Sequence, residues 1–181
     1  YQDTFEFLGY YYGRALSLSG DHAAAIGVFE TLLPDGFVDI HVELDLYNEL
    51  QTLAWTLQQT GRREEAAAIL DGIGELLETQ IDSVAYPLSG GVHGAALNAL
   101  LQGRTDLALE RLERAVELGW REVYLSESDP RWTALKDNER YQAVMAAARA
   151  DVDRQRAIVE RIDAEEDFIS LLDATWAGEA P

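Results

Sequence analysis

From residue 5 onward, apolar residues recur at steps of three and four: Phe5, Leu8, Tyr12 and Leu16, then, past Gly20-Asp21, Ala25, Ile26, Phe29, Leu32 and Leu33. That period marks one face of an α-helix, so the stretch predicts two helices joined by a tight turn. Gly20 suits the turn, because glycine reaches the positive backbone angles of a helix end without strain. Pro34-Asp35-Gly36 closes the second helix. The plan then returns. Leu46, Leu50, Leu53, Ala54 and Leu57 precede Gly61, and Ala66, Ile69, Leu70, Ile73, Leu76 and Leu77 follow it. Ala96, Ala99 and Leu100 precede Gly103, and Leu107, Ala108, Leu112, Ala115 and Val116 follow. Tyr86-Pro87-Leu88-Ser89-Gly90-Gly91 interrupts the pattern, since Pro and Gly cost a helix interior ~3 and ~1 kcal/mol. Residues 81–91 are therefore expected to be mostly irregular, with helix resuming near Val92. Strands are nowhere required.

Aligned on the glycines, the chain shows one pattern three times: Gly13, Gly20 and Ala25; Ala54, Gly61 and Ala66; Ala96, Gly103 and Ala108. The glycine lies seven residues after the first small residue and the alanine five after the glycine, while successive alanines stand 41 and 42 apart. An internal repeat of this length predicts stacked helical hairpins that bury their apolar faces against one another. Ala25, Ala66 and Ala108 are expected at tight helix-helix contacts.

These repeats resemble tetratricopeptide (TPR) motifs over roughly residues 5–118. Gly103, Ala108, Leu112, Ala115 and Ala96 match the family's turn glycine and its small and bulky positions; so do Leu50, Leu53, Ala54, Leu57, Gly61, Ala66 and Leu70, and Gly13, Leu16, Gly20, Ala25 and Phe29. Two features depart from the family: its usual period is about 34 residues, and the proline that closes each repeat is displaced to Pro34 or missing. The extra residues would lengthen helices by about two turns or form loops. Farther on, Ala115-Val116-Glu117-Leu118-Gly119-Trp120, Ser128-Asp129-Pro130-Arg131-Trp132, Leu135 and Arg140-Tyr141 look like the closing segment of TPR arrays in bacterial signalling proteins, fused there to class III adenylate cyclases and winged-helix regulators. The resemblance implies an all-α, right-handed α-solenoid: three TPR-like hairpins over 1–120, a connector with the Asp-Pro-aromatic segment over 121–137, and a long C-terminal capping helix and tail over 138–181.

In such arrays the first helix of each hairpin lines the concave face. Registering on Gly20 and Gly61 then sets Phe7, Tyr10, Arg14, Asn48, Gln51, Trp55, Gln58 and His93 along one inner track, with Leu97 beside them. Aromatic, Arg and amide side chains suit peptide recognition, so the implied function is a protein- or peptide-binding scaffold, part of a larger regulatory protein. Two rivals stand beside it: a small-molecule sensor pocket bounded by Trp55 and His93, and a purely structural oligomerisation piece. A plainer reading has Trp55 and the tyrosines plugging a groove closed by neighbouring helices.

Composition narrows the partners. Thirty-three acidic against fourteen basic residues give a formal charge of -19, which repels nucleic acid and anionic membrane surfaces and suits either solubility or attraction of a basic segment. With no cysteine, disulfides and thiolate chemistry are excluded. No run reaches the roughly 18 apolar residues of a membrane span and no signal-peptide pattern is present, so a soluble domain is expected, with the cytoplasm favoured. The opening on Tyr1 fits a piece of a longer protein.

Candidate chemistry is sparse, and neither catalysis, a cofactor nor a metal is expected. His41 lies in Asp39-Ile40-His41-Val42-Glu43, whose side chains diverge on a helix, and His22 follows a turn. His93 stands among Gly90, Gly91 and Gly94, which allow close backbone approach by a ligand or a neighbouring helix. Phosphate-loop, nucleophile-elbow and zinc-protease motifs are missing, and Glu165-Glu166-Asp167 lack a burial signal. Finally, Tyr141, Met145, Ala148, Val152, Val159, Ile162, Ile169 and Trp176 form one stripe interrupted by Gln155, Glu166 and Asp173. Residues up to about Ile162 are expected to cover the last hairpin. The tail beyond, with Phe168, Ile169, Leu171, Leu172 and Trp176, would pack along its own solenoid or against a second copy, a monomer being favoured over a homodimer.

Overall fold

A computed structural model gives the structure of the chain and describes residues 2–34, 36–37, 46–83 and 89–166. His41 and its flanking carboxylates, Pro87 and the apolar tail lie outside the described residues. Among the described residues the regular structure is helical throughout: α1 Gln2–Leu18, α2 His22–Leu32, α3 Tyr47–Gln59, α4 Arg63–Ser83, α5 Ser89–Leu101, α6 Thr105–Glu117, α7 Val123–Ser128, a 3-10 helix Pro130–Leu135, and α8 Glu139–Glu166. None of the described helices is long and apolar enough to cross a membrane.

Consecutive helices pair, α1 with α2, α3 with α4 and α5 with α6, and the pairs stack through α1 on α3 and α4 on α5. Four helices end in the same way. Gly20, Gly61, Gly103 and Gly119 take φ of 93°, 84°, 77° and 100°. In each case the glycine N–H bonds the carbonyl three residues back, and the next N–H bonds the carbonyl four residues before the glycine, as in Gly61 to Gln58 (3.2 Å) and Arg62 to Leu57 (2.8 Å). This is a Schellman ending, which satisfies carbonyls a helix end otherwise leaves open. After the first three turns, Ala25, Ala66 and Ala108 donate the first hydrogen bond of the following helix, to Asp21, Arg62 and Arg104. All three alanines are fully buried. The five-residue interval from Gly to Ala is thus the length of one turn plus the first coil of the next helix.

The core forms two connected clusters. Phe29, Leu53, Leu57, Ile69 and Ile73 join the first two hairpins, while Leu97, Leu112, Trp132 and Tyr141 join the third to the carboxyl-terminal segment. Ile81 and Leu101 pack against both. Between the second and third hairpins, the extra length of the repeat enters α4, with 21 residues against 11 in α2 and 13 in α6.

Two expectations are corrected. Helix α4 continues through Ser83 and α5 begins at Ser89, so less of 81–91 is irregular than the glycines suggested. Gly90 and Gly91 fall in the first turn of α5, where N–H groups have no intrahelical partner to lose, and the following residues are held by burial of Val92, Ala95 and Ala96. The cover provided by α8 also stops early: Tyr141, Val144, Met145, Ala148 and Asp151 are buried, but Ile158, Val159 and Ile162 are 44%, 64% and 42% exposed. Helix α8 has 28 residues and α6, which it covers, has 13. At 1.5 Å per residue it runs about 42 Å and overhangs by roughly half.

Candidate functional site

Helices α1, α3 and α5 meet through polar side chains. On one side of α3, Arg14 donates to Glu49 Oε1 at 3.0 Å, and Thr56 Oγ1 donates to Ser17 Oγ at 2.6 Å. The Glu49 side chain is 3% exposed, so the pair with Arg14 is buried on the carboxylate side. On the other side, Gln51 Nε2 donates to the Gly94 carbonyl and Gln58 Nε2 to the Leu101 carbonyl, both at 2.8 Å. Tyr47 lies so close over α5 that a Cβ on Gly94 would come within 2.5 Å of its ring. Burial raises the Tyr47 pKa above the usual phenol value, and Glu49 and Glu122 add to the rise.

The carboxyl-terminal segment then folds back onto these helices. His93 of α5 stacks on Trp120 (4.4 Å between centroids, 7° between planes) and tilts against Trp132 at 5.3 Å, while Trp132 stacks on Tyr141 at 5.9 Å. The His93 Nε2 lies 2.8 Å from Ser126 Oγ. Burial pushes its pKa down to about 4, Arg131 adding to the fall and Asp129 opposing it, so the ring is neutral at physiological pH. Asp129 opens the 3-10 helix by accepting from the Arg131 N–H at 2.9 Å, and it also holds the Arg131 guanidinium through Nε and Nη2. Arg131 Nη1 reaches past α5 to donate to Thr52 Oγ1 at 3.0 Å.

Most of the residues that the inner track named are therefore engaged with other parts of the chain. Gln51, Gln58 and His93 hold α5 to α3 and to the carboxyl-terminal segment. Asn48 is half-buried, its carbonyl accepting from Thr52 at 2.9 Å and lying 3.5 Å from Arg131 Nη1. Trp55 is half-buried edge-on to His22, 5.1 Å between centroids at 78°. Tyr10 packs on Phe29 at 6.3 Å, Arg14 keeps 32% of its side chain exposed, and the Phe7 side chain is outside the described residues. Glu49, Thr52, Asp129 and Arg131 were not singled out as site residues. The Asp-Pro-Arg-Trp run reads as part of the closing segment, but no local spacing gives its partner on α3.

Four clefts open elsewhere on the described surface. Two of about 440 and 410 Å³ share Asp71, Gln102 and Arg104 between α4 and the third hairpin. Two more, of about 310 and 260 Å³, share Glu127 and Arg149 between α7 and α8. Trp55 and His93 line none of these four. On α1, Leu8, Tyr11 and Tyr12 are 56%, 44% and 59% exposed. No protein-family model, no curated protein and no solved structure matches the chain.

Proposed function

We propose that this chain is a protein- or peptide-binding module, a right-handed TPR-like α-solenoid belonging to a larger bacterial signalling or regulatory protein. The observation that carries the reading is an asymmetry between equivalent helices. In the register that superimposes Gly20 on Gly61, Leu8, Tyr11 and Tyr12 correspond to Glu49, Thr52 and Leu53. The α3 residues are buried by neighbours, at 2%, 0% and 0% exposure, whereas their α1 counterparts stay exposed, Tyr11 lying one turn from Arg14, whose side chain is 32% exposed. Aromatic and arginine side chains are the types that anchor protein interfaces. With the α3–α5 level closed by the chain's own carboxyl-terminal segment, the binding surface is the α1 end of the inner track: Tyr10, Tyr11 and Arg14, with Trp55 at its margin. The net charge of -19 selects basic ligands and gives salt-sensitive association.

The test is selection of peptides from a random displayed library against the intact chain, followed by fluorescence anisotropy with the labelled winners. Basic sequences are expected, with Arg14→Ala and Tyr11→Ala each weakening binding about tenfold, the ~1.4 kcal/mol of one anchoring contact. Winners that are indifferent to Arg14, Tyr11 and Trp55 substitutions would remove the reading.

A further inference from the structure

We propose that the groove between α4 and the third hairpin binds a free α-amino acid with an apolar side chain. Ten of the 14 basic residues are held in ion pairs. Of the four that are not, Arg63 and Arg104 line one cleft of about 440 Å³, within the ~300–1,000 Å³ of small-molecule sites. Neither arginine gains stability from its place in a helix. Arg63 is the first residue of α4, and Arg104 is the N-cap of α6, where it makes no side-chain capping bond. A cation is disfavoured at the positive end of a helix, and the cap position favours Ser, Thr, Asp or Asn. After the other two hairpin glycines the equivalent residues are engaged: Asp21 accepts from the Ala24 N–H at 3.2 Å, and Arg62 pairs with Glu30 and Glu65. The Arg104 guanidinium has no such partner among the described residues.

The opposite charge borders the same space. Asp71 lines this cleft and, with Arg104 and Gln102, the adjoining one of about 410 Å³, yet it forms an ion pair with neither arginine. Its Oδ1 accepts from Gln102 Nε2 at 2.9 Å, and its Oδ2 has no partner among the described residues. Glu75, one turn farther along α4 and also unpaired, lines the adjoining cleft, where Glu78 is taken by Arg111. A bare anion drawn to the arginines would meet Asp71 and Glu75, and a bare cation would meet the reverse. A ligand that satisfies both sides carries both charges a short distance apart. Its carboxylate would lie on Arg104 and Arg63, and its ammonium on Asp71 with Glu75 behind, each as a charge-assisted hydrogen bond. Ala67, Leu70 and Leu101 supply an apolar wall, which accepts a hydrocarbon side chain and disfavours a charged one.

The experiment is equilibrium dialysis and calorimetric titration of the intact chain with L-leucine. The comparison ligands are leucinamide, which lacks the carboxylate, isocaproate, which lacks the ammonium, and inorganic phosphate. Leucine is expected to bind, and each one-charge analogue to bind about tenfold or more weakly, the loss of one anchoring contact. Arg104→Gln and Asp71→Asn, both at exposed positions, should each weaken leucine binding about tenfold. Their unfolding midpoints should stay level or, for Arg104→Gln, rise. Tyr11→Ala, on the separate α1 surface, should leave leucine binding unchanged. Absence of binding at millimolar leucine, valine, isoleucine, methionine and phenylalanine would overturn the proposal. So would analogues that bind as well as leucine, leucine binding untouched by both groove substitutions, or phosphate bound in preference, which would reassign the arginines to a plain anion site.

Discussion

The contact between Arg131 and α3 makes a stability prediction that can be worked from its geometry. The Arg131 side chain is 2% exposed and Asp129, its bidentate partner, 12%. Arg131→Met keeps much of the apolar stem but leaves the Asp129 carboxylate short of water and without its cation. Breaking a buried pair from one side costs about 3–5 kcal/mol. Thr52→Val, at a fully buried position, removes only a hydroxyl that links Arg131 to Asn48, and about 1 kcal/mol is expected for one such hydrogen-bonding group. Combined, the two substitutions should cost less than their sum, since groups in one network couple by about 0.5–3 kcal/mol. Urea unfolding followed by circular dichroism, on wild type, both single variants and the double variant, measures all three quantities. A loss below about 1 kcal/mol for Arg131→Met, or strict additivity with Thr52→Val, would show that the carboxyl-terminal segment is not anchored through this pair.

Other outcomes follow from single positions. The folded-state pKa of His93, about 4, lies below the ordinary 6.5, so its contribution is present above pH 6.5 and is lost as pH falls toward 4. The loss amounts to roughly 3 kcal/mol, and His93→Phe should flatten the denaturation midpoint against pH over that interval, an unchanged slope counting against the burial argument. Gly61→Ala meets no atom within 4 Å but must hold φ near +84°, so about 1 kcal/mol of destabilisation is expected. Gly27→Ala has the same open surroundings inside α2 and no such angle, and should stabilise by about 0.5–1 kcal/mol; thermal unfolding that gives both the same sign would refute the turn assignment. Ala66→Trp should cost ~1–3 kcal/mol or more by overpacking a fully buried site, and an unaltered unfolding midpoint would remove the tight contact there.

What the sequence showed and what it hid divide along the range of the interactions. Hairpin turns are local: Gly20, Gly61 and Gly103 each act on carbonyls three and four residues behind, so spacing alone located them. The buried faces of α3 and α6 were equally readable from their period. Gly90 and Gly91 misled because a propensity cost does not distinguish the first turn of a helix from its interior. The candidate site is harder to read, since its partners are distant in the chain. Arg131 and Thr52 are 79 residues apart, and neither is an unusual residue for its own element. His93 was noticed for the glycines around it. One of them, Gly94, admits the ring of Tyr47, while His93 itself is held by Trp120 and Trp132, whose aromatic run the sequence displays without saying what they enclose.

The four glycine endings bear on how such a chain tolerates change. Each is closed by two hydrogen bonds within six residues, so the joint between two rods is defined where it stands, whatever the length of the rods or of the chain leading to the next hairpin. Insertions and deletions between hairpins, or at the far end of a helix such as α4, leave every joint intact, whereas one residue added between Gly61 and Ala66 would rotate the second rod by about 100° and turn its buried stripe away from the first. A lineage of these arrays can therefore drift widely in period while the interval across the joint stays constant.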